Sequence, residues 1–100
     1  MVRVLTSERS EKTAKQQEIL FTFEASSARS VYLTGNFNRW SATENPMRKD
    51  RSGTWTTRIS LKPGNYQYKF VIDGTWQEDP RANASADNPF GTRNSIITVR

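Results

Sequence analysis

Residues 66–76 read Tyr-Gln-Tyr-Lys-Phe-Val-Ile-Asp-Gly-Thr-Trp, and their register decides the fold. Tyr66, Tyr68, Phe70 and Ile72 alternate with Gln67, Lys69 and Val71, the two-residue period of a strand with one buried face. Asp73-Gly74 follows. A type I′ turn favours that dipeptide because both of its central residues need positive φ. Counted across a two-residue turn, Ile72 faces Thr75 and Val71 faces Trp76. Adjacent side chains on a strand point to opposite sheet faces. Trp76 therefore belongs to the face of Lys69 and Gln67, away from the aromatic row. The bulkiest apolar side chain of the hairpin sits on its polar face, which marks it as a contact residue. A three-residue loop would reverse that parity.

Outward from the hairpin the same alternation recurs. Glu18–Glu24 is expected to be a strand with Ile19, Phe21 and Phe23 on one face, and Val31–Thr34 another with Val31 and Leu33 inward. Residues 35–40, Gly-Asn-Phe-Asn-Arg-Trp, leave the sheet; Gly and Asn suit a loop with left-handed residues. Residues 41–45 continue that loop, Pro46–Lys49 forms at most a short strand, and residues 50–53 turn the chain. Thr54–Leu61 aligns Trp55, Thr57, Ile59 and Leu61, which assigns Trp55 to the core. Residues 62–65 turn into the hairpin, Asp79-Pro80 ends its second arm, and Arg81–Pro89, poor in apolar residues, reads as a long surface loop. Ser95–Val99 is the closing strand. The sum is an all-β chain of roughly six to eight short antiparallel strands, the pattern of a β-sandwich. Residues 1–17 read as a flexible polar leader, with a short helix over Ser7–Gln17 as the alternative, and residues 18–100 as the domain.

Composition narrows the chemistry. The chain has 100 residues, no cysteine and no histidine. It therefore lacks a thiolate nucleophile or metal ligand, and it lacks the commonest general base. No metal site and no cofactor are expected. Glu78, Asp79 and Asp87 do not form the paired carboxyls that a glycosidase needs, so the chain is not expected to be an enzyme by itself. No apolar run suggests a signal peptide or a membrane span, and a cytoplasmic setting is expected. The net charge of +5 permits an anionic partner, but no dense basic block points to nucleic acid.

What remains is an aromatic, amide-rich surface. Trp76 is out of phase with its core face, and parity leaves Trp40 undecided between surface and core. An exposed tryptophan is a flat apolar plate with one N–H donor. Such a plate beside Lys69 and asparagines fits the C–H face of a pyranose; with basic residues it also fits an unstacked base. The residues alone leave these two open.

Three stretches add a resemblance: VYLTGNFNRW (residues 31–40), GNYQYKFVIDGTWQEDP (64–80) and FGTRNSIITV (90–99). In order and spacing they resemble carbohydrate-binding module family 48, including the glycogen-binding domain of the AMP-activated protein kinase β subunit and the N-terminal modules of isoamylases and branching enzymes. The resemblance covers residues 18–100. It implies an immunoglobulin-like β-sandwich that binds α-1,4-linked glucans without catalysis, as a module of, or partner to, a glycoside hydrolase or kinase. It implies that Trp40 and Trp76 stack on glucose and that Lys69, Thr92 and Asn94 meet sugar hydroxyls. Phe90 takes the place of a leucine that enters the glucan helix, a departure that keeps apolar bulk. Family members that bridge proteins, or act as spacers, supply the alternative reading; single-stranded nucleic acid is a more distant one.

Overall fold

The computed structural model describes residues 15–100. Nine extended segments carry the chain: β1 (Gln17–Glu24), β2 (Val31–Gly35), β3 (Asn45–Pro46), β4 (Arg48–Lys49), β5 (Thr54–Leu61), β6 (Gly64–Ile72), β7 (Thr75–Gln77), β8 (Ala84–Asp87) and β9 (Arg93–Val99). Two of them, β3 and β4, are dipeptides, so the excess over the expected strand count is slight. A three-stranded sheet runs β1-β5-β4, and a six-stranded sheet runs β3-β2-β6-β9-β8 with β7 also on β6. All pairings are antiparallel.

The sheets close on a shared apolar layer. Phe21, Phe23, Trp55 and Leu61 come from the smaller sheet, and Val31, Leu33, Tyr68, Phe70 and Val99 from the larger. Phe21 meets Tyr68 edge-on at 5.1 Å between ring centroids, and Phe23 meets Phe70 at 4.9 Å. Each fully buried side chain of this size contributes roughly 1.5–3 kcal/mol. Trp55 is buried as its phase implied, and its indole N–H donates to the Ala25 carbonyl at 2.9 Å. Between β3 and β4 the chain changes sheets. Met47, buried at that step, plugs the gap, and its amide donates to the Val31 carbonyl.

The hairpin has the inferred register. Ile72 pairs with Thr75 and Val71 with Trp76, and Asp73 and Gly74 both take positive φ, 49° and 88°. The Asp73 carboxylate also accepts from the amides of Arg29 and Ser30, each at 2.9 Å, tying the turn to the start of β2.

Four expectations change. Residues 84–87 are a strand, not part of an unbroken loop: they pair with β9 from Ala84↔Ile96 to Asp87↔Arg93. A backbone ladder needs no large apolar side chains, so the low hydrophobicity of 81–89 hid it. The outer face of β6 is not an open polar face, because Lys69 and Val71 are buried along with Tyr68 and Phe70. In residues 35–40 the left-handed positions are Arg39 and Trp40, not the asparagines. Gln17, assigned to the leader, opens β1; the rest of the helix alternative falls on residues that are not helical or lie outside the described set.

Candidate functional site

The site lies on the outer face of the six-stranded sheet, where register puts Gln67, Lys69 and Val71 of β6 beside Trp76 of β7. Asn94 of β9 joins the same face opposite Ala86 of β8. Two loops rise from this floor. The β2–β3 loop brings Asn36 and Trp40, and the β8–β9 loop brings residues 88–92. Together they bound an open hollow of about 840 Å³. Its lining includes Trp40, Lys69, Trp76, Phe90, Thr92 and Asn94, the six residues singled out from the sequence, gathered from three strands and two loops.

One wall is aromatic. The rings of Trp40 and Trp76 lie 6.5 Å apart between centroids and are tilted by 32°. They adjoin as one bent plate. Trp76 is 44% exposed, while Trp40 is half-buried. Local backbone sets the Trp40 ring. Arg39 and Trp40 take φ of 59° and 58°, a conformation that costs non-glycine residues roughly 1–3 kcal/mol and persists when the surroundings over-determine it. Here they do. The Trp40 amide donates to the Gly35 carbonyl at 2.8 Å. The buried Asn38 side chain uses all four of its hydrogen-bonding positions. Its Oδ1 accepts from the Gly35 and Ser41 amides, and its Nδ2 donates to the Leu33 carbonyl and Asn45 Oδ1. Gly35 is needed for close approach: a Cβ there would lie 2.5 Å from the Phe37 ring and 2.6 Å from the Gln67 carbonyl oxygen.

The opposite rim is Phe90, 86% exposed, the most exposed of the large apolar side chains among the described residues. Between rim and wall the floor is polar and internally bonded. Lys69 Nζ donates to Thr92 Oγ1 at 3.0 Å, and Asn94 Nδ2 donates to Gln67 Oε1 at 3.0 Å. Lys69 and Asn94 are each more than nine-tenths buried, whereas the sequence reading placed Lys69 on an open platform. Burial of an ammonium is costly unless it is hydrogen-bonded. Thr92 takes one of its three donors. Sequence reasoning missed Gln67, Asn88 and Asn36. Gln67 was on the hairpin's outer face and readable by parity. Asn88 carried no signal beyond an amide-rich loop.

Chemically, the hollow offers a bent apolar plate, a second apolar rim and a donor-rich strip between them. Among the described residues no cluster of acidic side chains could hold a metal ion, and no helix is long and apolar enough to cross a membrane.

Comparison with known proteins agrees on one family. The pattern of the glycogen recognition site of AMP-activated protein kinase matches residues 17–100. The rice protein FLOURY ENDOSPERM 6, chloroplastic, is 33% identical over 89 residues, which are 89% of this chain and 16% of that protein. The Arabidopsis thaliana protein PTST homolog 2, chloroplastic, is 44% identical over 54 residues, 54% of this chain and 10% of that one. Human 5'-AMP-activated protein kinase subunit beta-1 is 37% identical over 70 residues, 70% of this chain and 24% of the subunit. The chain thus corresponds to a small part of each of these relatives. Two of the three are named as chloroplastic, a compartment other than the cytoplasm expected from composition.

Proposed function

The chain belongs to the family of the glycogen recognition site of AMP-activated protein kinase, and on that premise we propose that it binds α-1,4-linked glucans (glycogen, starch, maltooligosaccharides) without transforming them. The observation that carries this reading is the bent plate of Trp40 and Trp76 beside a donor-rich floor. An α-1,4-glucan curves, so successive glucose rings present C–H faces at an angle to one another. Two indoles tilted by 32° match such a curve better than a coplanar pair would. The proposed binding unit is the sandwich, from the start of β1 at Gln17 onward. In this reading Trp40 and Trp76 stack on adjacent glucose units. Lys69, Thr92 and Asn94 direct hydrogen bonds to hydroxyls, and Phe90 closes the far side.

Stacking supplies most of the affinity. Burying each indole face is worth on the order of 1.5–3 kcal/mol, offset by ordering the sugar chain, so a single module binds weakly. A kinase or a glucan-active enzyme is the class of partner that this family membership favours, with the module holding that partner on the polymer.

The test is a titration with maltoheptaose and β-cyclodextrin followed by tryptophan fluorescence. Wild type gives saturable shifts with both. Trp76→Ala and Trp40→Ala each lose about 2 kcal/mol of binding, as buried aromatic anchors do, which is roughly 30-fold in Kd. A folded wild-type protein that ignores both sugars and glycogen sinks the reading. Binding that survives loss of both indoles points instead to a protein-interaction module.

A further inference from the structure

Asn88 lies where the β8–β9 loop leaves β8, half-buried beneath Phe90 and Thr92. A side-chain amide has two acceptor lone pairs and two N–H donors, and Asn88 uses all four. Oδ1 accepts from the amides of Phe90 at 3.0 Å and Thr92 at 3.2 Å. Nδ2 donates to Thr92 Oγ1 at 2.7 Å and to Asn94 Oδ1 at 2.9 Å. Its backbone closes the same loop, with N–H to the Thr92 carbonyl at 3.0 Å and its own carbonyl accepting from the Gly91 amide. The acceptor half of the side chain thus fixes the loop that carries Phe90, and the donor half fixes the floor.

The donor half has a directional consequence. Thr92 Oγ1 accepts from both Lys69 and Asn88. A hydroxyl has two lone pairs and one proton; with both lone pairs taken, its proton is left to donate into the hollow. Asn94 is oriented in the same way. Its Oδ1 faces Asn88, so its Nδ2 faces Gln67 Oε1, and the Gln67 amide N–H groups are left as donors. With the free N–H groups of Lys69, the strip between plate and rim presents donors. A ligand oxygen arriving there is met as an acceptor.

We infer that Asn88 is a positioning residue for ligand binding: it holds the Phe90 rim in place and sets the hydrogen-bond direction of the floor, so that the site reads acceptor oxygens lying between two apolar contacts. This rests on the glucan reading above, in which those oxygens are glucose hydroxyls. Asn88 does on the rim side what Asn38 does under Trp40, with the same full use of one amide.

Two substitutions separate the halves. Asn88→Asp keeps the oxygen that accepts from the Phe90 and Thr92 amides but loses both donations. Asn88→Ala loses everything. Maltoheptaose affinity falls in the order wild type, Asn88→Asp, Asn88→Ala, with the alanine variant at least about tenfold weaker than wild type. Backbone amide exchange at Phe90 and Thr92 is measured without ligand. It stays within about twofold of wild type in Asn88→Asp and speeds up by about tenfold or more in Asn88→Ala. Thermal melting confirms that both variants fold. Any other order of affinities among folded proteins, or an alanine variant with wild-type exchange, overturns the inference. If wild type binds neither maltoheptaose nor β-cyclodextrin, the glucan reading falls by itself, and the exchange order alone decides whether Asn88 positions the loop.

Discussion

At the scale of single residues the site rests on asparagines whose side-chain amides are bonded within the protein. Asn38, Asn88 and Asn94 spend their amides on loops and floor, which holds Trp40 and Phe90 in place before any ligand arrives. Preorganisation of this kind lowers the ordering cost of binding. One neighbour breaks the pattern. Thr34 lies on the same outer face, paired with Lys69 across the ladder, and is fully buried. Its hydroxyl is the one buried side-chain polar atom without a partner among the described residues. An unsatisfied buried hydroxyl costs about 1–3 kcal/mol, and replacing it with an apolar group of the same shape is neutral or stabilising. Thr34→Val therefore raises the urea midpoint, by an amount equivalent to about 1 kcal/mol. Thr34 does not line the hollow, so maltoheptaose affinity stays at the wild-type value. A loss of stability would mean that the hydroxyl is bonded.

At the scale of elements, the hairpin of β6 and β7 divides its labour by face. Its inner row packs the core and its outer row carries the floor and one indole. Tyr68 ties the hairpin to the segment that follows β7. It is buried inward, yet its hydroxyl donates to Asp79 Oδ2 at 2.6 Å, just past β7, and the Asp79 amide donates to Ser95 Oγ. Burial first, then the hydrogen bond and the charge of Asp79, push the Tyr68 phenol well above its ordinary value near 10. Because the folded-state value is raised, the stabilisation is complete below about pH 10, the unfolded value, and is lost as pH rises beyond it. Wild type consequently loses stability more steeply than Tyr68→Phe between about pH 10 and 12, measured by urea unfolding at a series of pH values. Parallel slopes would show that the phenol ionises freely. The elements also show what the sequence discloses. Strands whose faces differ in polarity, β1, β5 and the hairpin, were readable from period two, and with them the exposure of Trp76. The strand Ala84–Asp87 was not, because its stability comes from backbone pairing with β9. The burial of Lys69 was not, because loops from residues 36–40 and 88–92 cover it. Left-handed Arg39 and Trp40 run against residue preference, so no local signal announces them. The resemblance to a known family supplied Trp40, Thr92 and Asn94, whose meeting in one hollow depends on contacts between distant segments.

At the scale of the whole molecule the question is which property selects the ligand, shape or charge. The chain carries a net charge of +5, enough to draw in an anion. The hollow does not use that charge. Of its lining residues, Lys69 alone is ionisable, and its ammonium is buried and bonded to Thr92. A neutral glucan on this surface displaces no condensed counterions. A single-stranded nucleic acid would, with log K falling against log salt at about 0.7 per phosphate neutralised. Maltoheptaose affinity therefore changes by less than about twofold between roughly 50 and 500 mM sodium chloride, whereas a ligand held at several phosphates would weaken by orders of magnitude over the same range. Parallel titrations of maltoheptaose and a short oligothymidine, read from the same tryptophans, separate the two. A flat salt response for the sugar and a weak, steeply salt-sensitive one for the oligonucleotide mean that the bent indole plate selects, and that the surface charge does not. A steep response for the sugar would instead place the contact on exposed lysine and arginine away from the hollow, and would remove Trp40 and Trp76 from the centre of the mechanism.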